Sequence, residues 1–235
     1  MKDKILGIVP ARGGSKSIKD KNIVPLNGKP LIYYTISESL KAQTIDRVIV
    51  STDSPKIAKI TESLGAEVPY MRPKYLATDT SKTIDAVLHL LDFLAKTENY
   101  EPEIVVLLQP TSPLRKSLHI DEAVGKFLKS DAESLVSLCR LQEPHPYKLK
   151  IIEDGLVCPF FKNADSSIPK QLLPDVYRLN GALYITYRST LYNYKDFFGK
   201  KVLPYIMEDC YSVNIDSPID LKIADLILKE ESGEF

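Results

Sequence analysis

Between Ile5 and Arg140 the chain alternates short apolar runs with longer stretches whose apolar residues recur at helical spacing. Ile5 to Val9, Arg47 to Asp53, Ala66 to Met71, Ile104 to Leu108 and Ser134 to Arg140 read as strands. The run Ile104-Val105-Val106-Leu107-Leu108 lacks any polar alternation, as expected of a parallel strand covered on both faces. Helices follow between them. Ile32, Ile36 and Leu40 share one face, and Ser54-Pro55 supplies an N-cap and a first-turn proline to a helix ending at Leu64-Gly65. Ile84, Val87, Leu88, Leu91 and Leu94 mark a helix over 80–95, and another spans Ser117 to Leu128. Strict strand–helix alternation predicts a doubly wound α/β domain with a mainly parallel sheet. Ligands of such sheets sit beyond the carboxyl ends of the strands. The segments there are Pro10 to Ser15, Ser51 to Asp53, Arg72-Pro73, Gln109 to Arg115 and the residues after Arg140, and most are polar.

The first strand end is the most distinctive: Ala11-Arg12-Gly13-Gly14-Ser15-Lys16, continuing to Lys19, Lys21 and Asn22. Paired glycines permit positive φ and let backbone N–H groups approach an anion. Arg12 adds a planar fork for phosphate oxygens, and the lysines add mobile charge. The same residues also suit a solvated basic turn. Neither the Walker pattern nor the G-x-G-x-x-G dinucleotide fingerprint fits, and an extended piece, not a helix, follows the loop. Net charge is zero, with 31 basic and 31 acidic residues, so no global field favours nucleic acid or a membrane surface. Cys139, Cys158 and Cys210 are odd in number and widely spaced, which predicts free thiols in a reducing compartment. No apolar run approaches the ~18 residues of a membrane span, and a cytoplasmic location is expected.

After Arg140 the rhythm changes. Lys148 to Ile152, Glu153-Asp154-Gly155 and Leu156 to Phe161 predict a β-hairpin, followed by a polar, proline-containing stretch. Residues 141–176 read as an excursion from one domain spanning 1–235. Exposed Phe160 and Phe161 would make it a self-association surface, whereas burial would fold them back on the core. Gly181 to Tyr187 and Val202 to Met207 regain strand character, and Ser217-Pro218 opens a last helix.

Three further groups carry polar chemistry. Gln109-Pro110-Thr111-Ser112-Pro113-Leu114-Arg115 is a stiff connection that presents hydrogen-bonding side chains. Tyr177-Arg178-Leu179-Asn180-Gly181 puts Arg and Asn just before a strand. Asn214-Ile215-Asp216 puts two oxygen donors on one side of an extended segment, suited either to Mg²⁺ or to charging the helix behind. His89, His119 and His145 are scattered and suggest structural roles.

Taken together, ARGGSK, STD, RP before LATDTS, LLQPTSPLR, YRLNGALYI and IDSPIDL, in this order, resemble the CMP-sialic acid synthetases, the N-acylneuraminate cytidylyltransferases, over about Ile5 to Ile227. The resemblance implies a nucleotidyltransferase (Rossmann-like) fold. It implies that a nine-carbon α-keto acid sugar attacks the α-phosphate of CTP, releasing pyrophosphate with Mg²⁺ as cofactor. Arg12, Lys21, Gln109 and Asp216 would then be catalytic. Ala11, Arg12, Gly13, Gly14, Ser15, Lys21, Asn22, Arg72 and Thr83 would bind the nucleotide. Gln109, Thr111, Ser112, Arg178 and Asn180 would meet the sugar, with Lys148 and Lys170 reaching a partner's site across a homodimer. Asp216 and Asn214 would hold the metal. Many relatives have D-x-D where Asn214-Ile215-Asp216 stands, and the uncharged amide leaves the number of metal ions open; some have Arg where Lys170 stands, so the sugar could be sialic, legionaminic or pseudaminic acid. Rival expectations are activation of the eight-carbon sugar Kdo, and a nucleotide-binding relative without catalysis.

Overall fold

A computed structural model of the protein describes residues 4–162 and 165–233. The termini of the 1–235 domain and residues 163 and 164 of the 141–176 excursion lie outside the described residues. The central sheet holds β1 (Ile5–Pro10), β4 (Arg47–Ser51), β5 (Ile104–Leu107), β6 (Ser134–Arg140), β9 (Tyr177–Tyr187) and β10 (Val202–Met207), in the order β10-β6-β9-β5-β1-β4. β1 pairs in parallel with β4 and β5, and β10 with β6, while β9 runs antiparallel between β5 and β6.

Successive residues of the parallel strands serve opposite layers. Ile5 and Val9 of β1, with Ile104 and Val106 of β5, pack against α1 (Leu31–Lys41), α2 (Pro55–Ser63) and α4 (Ser117–Leu128) through Ile36, Ile57 and Phe127. Leu6 and Ile8, with Val105 and Leu107, meet α3 (Thr83–Glu98) and α5 (Arg188–Tyr194) through Val87, Leu91 and Leu191. Unbroken apolar sequence is the price of burial on both faces, and each such side chain contributes about 1.5–3 kcal/mol of transfer free energy. A third cluster joins a tight hairpin, β2 (Pro25–Leu26) and β3 (Lys29–Pro30), to α6 (Pro218–Ser232) through Leu26, Ile215, Ala224 and Leu228. None of the described helices is long and apolar enough to cross a membrane.

Helix ends follow their local chemistry. Ser54 Oγ accepts from the Ile57 N–H, and Pro55 opens α2. Ser217 and Asp220 form a reciprocal capping box on α6, which stops at Gly233 in the left-handed region. Several expectations shift. Ala66 to Met71 forms no strand; only the bridges Ile49–Glu67 and Thr52–Met71 continue the sheet, because Val68-Pro69 interrupts the ladder. α3 begins at Thr83, not at residue 80, because Thr78 and Ser81 bond each other in a closed turn ahead of it. β9 begins four residues before Gly181, so Arg178 and Asn180 lie within the strand. The short helix α5 had no clear signal in the sequence.

The excursion leaves after β6 and returns into β9, with the Leu141 N–H donating to the Val176 carbonyl. Its hairpin, β7 (Lys150–Glu153) and β8 (Leu156–Pro159), turns at Asp154-Gly155, both at positive φ. Ile152, Leu156, Val157 and Leu172 are each at least 70% exposed, and Phe160 and Phe161, about half exposed, stack edge to face on each other.

Candidate active site

The strand ends converge on an open cleft of about 490 Å³, lined by the end of β1 and the loop after it, Arg72, the 76–83 segment, the loop after β5 and the segment before α6. Arg12, Ser15, Lys21, Asn22, Arg72, Thr83, Gln109, Thr111, Asn214 and Asp216 all face it. Residues drawn from positions 12 to 216 thus meet at one edge of the sheet.

The glycine loop is tied down from behind. The Ala11 N–H donates to the Ser51 carbonyl (3.0 Å), and Asn22 Nδ2 donates to the Arg12 carbonyl (2.8 Å). Gly14 takes φ +64°, as expected for a residue chosen for conformational freedom. The Gly13 N–H, expected to face a bound anion, instead donates to Asp53 Oδ1 (2.8 Å). Arg72, almost fully buried, donates from Nε to Ser51 Oγ (3.0 Å) and from Nη2 to the Ser51 carbonyl. Burial holds its pKa below the usual arginine value, partly opposed by Asp53. Asp53 therefore braces the loop, while Ser51 holds Arg72.

A second carboxylate was also not anticipated. Asp79 bridges Arg12 Nη1 (2.8 Å) and Lys16 Nζ (2.6 Å), and these two cations hold its carboxyl below the usual carboxylate range. The sequence signal was there in LATDTS, on the loop facing the basic turn. On the opposite wall Lys21 Nζ donates to Asp216 Oδ1 (3.0 Å) and to the Ile215 carbonyl (3.0 Å). Asn214 Nδ2 donates to Asp216 Oδ2 (2.8 Å), which leaves the buried Asn214 Oδ1 without a partner. The Ile215 N–H donates to the Thr111 carbonyl (2.7 Å), coupling this segment to the loop after β5. The exposed Asp216 carboxylate suits a Mg²⁺ ion that takes most of its ligands from phosphates and water, and Asn214, which turns its amide nitrogen to Asp216, would have to rotate to add its buried oxygen. Among the described residues no cluster of three or more His, Cys, Asp or Glu offers a complete protein cage.

Ser112 and Asn180 do not line the cleft. Both are fully buried: Ser112 Oγ donates to the Asn180 carbonyl (3.0 Å), and Asn180 bonds Ser137, Ser212 and the Ala182 N–H. They build the wall behind Gln109. Gly181, at φ +73°, lies so close that a Cβ there would sit 2.6 Å from Gln109 Oε1. Arg178 donates to the Ser212 carbonyl (3.2 Å). Lys148 donates to the Ser166 carbonyl (2.7 Å), and Lys170 pairs with Glu143 (3.0 Å) beside a separate cavity of about 260 Å³. Within one chain, then, Lys148 and Lys170 stay away from the cleft. All three cysteines are free.

Residues 6–155 match the sequence family described as cytidylyltransferase. This chain belongs to the cytidylyltransferase family. It is 35% identical to an N-acylneuraminate cytidylyltransferase of Escherichia coli over 235 residues, all of this chain and 54% of that protein. It is likewise 35% identical to a CMP-N,N'-diacetyllegionaminic acid synthase of Legionella pneumophila over 229 residues, 96% of this chain and 97% of that protein. The chain thus spans about half of the first relative and nearly all of the second. The solved structure of a CMP:2-keto-3-deoxy-manno-octonic acid synthetase complexed with CTP superposes with a TM-score of 0.72, at 16% identity, over 97% of this chain and 99% of that one. That likeness shows the shared nucleotidyltransferase fold.

Proposed function

We propose that this cytidylyltransferase activates a nine-carbon α-keto acid sugar (sialic, legionaminic or pseudaminic acid), transferring CMP from CTP to its anomeric hydroxyl with release of pyrophosphate. The observation that carries this is the meeting of Arg12, Lys21, Gln109 and Asp216 in one cleft. The oxygen of the sugar forms a bond to the α-phosphorus, the bond to the β-phosphate bridging oxygen breaks, and the hydroxyl proton leaves to solvent or a bound base. Negative charge grows on the non-bridging α-oxygens and the departing pyrophosphate. Arg12 and Lys21 are the cations that meet it, and donors of this kind are typically worth about 10²–10³ in rate. Ser15 and the backbone of Ala11, Gly13 and Gly14 shape the phosphate loop. Asn22, Arg72 and Thr83 line the nucleoside end.

Asp216 and Asn214 would hold Mg²⁺, which when bound supplies further charge neutralisation at the phosphates. Lys21 and the Asn214 amide occupy both oxygens of Asp216 without it, so both must re-aim on loading. Asp79 occupies Arg12 and Lys16 in the same way, and phosphate oxygens must displace it. Gln109 and Thr111 face the sugar side. Lys148 and Lys170 would act from the partner in a homodimer built on the apolar hairpin, a role supported by its exposed Ile152, Leu156, Phe160 and Phe161. The free thiols fit a cytoplasmic enzyme.

The test is pyrophosphate release from CTP and Mg²⁺ with N-acetylneuraminic, legionaminic and pseudaminic acids and Kdo in separate reactions. Release with one nine-carbon acid is expected. Release with Kdo alone, or with none of the four, would overturn the proposal.

A further inference from the structure

Arg115 is among the largest fully buried side chains of the described residues, and it faces no carboxylate within ion-pair distance there. Its Nη1 donates to the Ala182 carbonyl at 2.8 Å and reaches the Gln109 carbonyl at 3.5 Å. Nε and Nη2 have no partner. Glu38 is the carboxylate whose charge acts on it, and that group is already bound by Lys41 and the Ser117 N–H. Desolvation, only partly opposed by Glu38, lowers the guanidinium to about 9. A buried cation with two idle donors is a poor stabilising device, and apolar replacements of such groups are often neutral or better. Its place is more telling. The two carbonyls it touches belong to Gln109 and to the residue after Gly181, the pair whose close approach shapes the cleft wall.

We propose that Arg115 is a positioning residue for the transfer reaction: a staple behind the Gln109–Gly181 contact that fixes the loop 109–112 against β9. Ser112 Oγ to the Asn180 carbonyl makes a second tie between the same segments. Through the Thr111 carbonyl and the Ile215 N–H the stapled loop also sets the height of Asp216. Cutting the staple would let Gln109 and Thr111 shift by a fraction of an ångström to an ångström, and a misplacement of that size can cost about 10²-fold in rate.

The inference rests on the proposed transfer activity, so its test has an arm independent of turnover. Arg115→Met should keep or raise the melting temperature, yet speed amide hydrogen exchange in peptides covering 108–112 and 180–183. Its kcat should fall about 10–100-fold with the KM for CTP little changed. Arg115→Lys gives the second readout. A lysine there, among Glu38, Lys116 and His119, would be desolvated and lose its proton well below the usual lysine range. Activity of that variant should therefore decline as pH rises from 6 to 9 relative to the parent protein. Parent-like kcat in Arg115→Met, unchanged exchange, or failure of both variants to fold would each overturn the assignment. If the parent protein releases no pyrophosphate from any acid, the functional proposal falls, and the exchange comparison still decides the role of Arg115.

Discussion

Replacing Gly181 by Ala tests the geometry of the cleft wall most directly. Two costs separate cleanly. A residue with a Cβ held at φ +73° pays about 1–2 kcal/mol for the left-handed backbone. In a chain of this length that lowers the melting temperature by roughly 2–8 °C. The second cost is steric: the new methyl would lie 2.6 Å from Gln109 Oε1 and 3.3 Å from Ser112 Oγ. Ser112 is buried and bonded, so the side chain that yields is Gln109, which must swing out of its position over the strand. A displaced Gln109 should lower kcat/KM by about 10²-fold. Gly65→Ala is the control. It stands at φ +89° with only Leu40 Cδ1 nearby at 3.8 Å, and it lies outside the cleft. Both variants should lose comparable melting temperature, and only Gly181→Ala should lose activity in the pyrophosphate assay. Gln109→Ala should reproduce the kinetic loss, and the double variant should be no worse than either single one. Gly181→Ala with parent kcat/KM and the same thermal loss as Gly65→Ala would refute the placement of Gln109.

Asp216→Ala should abolish turnover while shifting the melting temperature by under about 2 °C, since the carboxylate is mostly exposed. Retained activity would remove Asp216 from the metal site. His119 accepts from the Lys116 N–H at the start of α4, and burial depresses its pKa below the usual histidine value. The unfolded chain therefore takes up that proton first, so stability should fall as pH drops through about 6.5 toward the lower native value. Urea titrations of His119→Asn between pH 7 and 5 should show a shallower decline than the parent; an equal slope would assign the dependence to other groups.

The sheet was readable because its residues have no alternative. A run such as Ile104 to Leu108 can be satisfied only between two helical layers, and Ser54-Pro55 and Ser217-Pro218 announce helix starts by local bonding alone. The site residues that face the cleft were legible as charged and amide groups at strand ends. What stayed hidden depends on distance in space. Asp53 and Asp79 look like ordinary loop carboxylates until the fold sets them against the Gly13 N–H and the Arg12–Lys16 pair. Arg115 and Asn180 read as presented polar groups, yet tertiary packing buries both and turns them to backbone carbonyls and hydroxyls. Met71 offered strand character, but pairing partners, not propensity, decide a ladder, and none but Thr52 was available.

The excursion departs at Arg140 and re-enters at Tyr177, residues paired across the same ladder and followed at once by the Leu141–Val176 hydrogen bond. A segment spliced in at such a narrow neck places little demand on the sheet. Its ends are already together, so the entropic cost of changing its length grows only as the logarithm of that length. Evolution and engineering can therefore trade this segment as a cassette, changing its length and surface while the register of β6 and β9, and the cleft built on it, stays as it was.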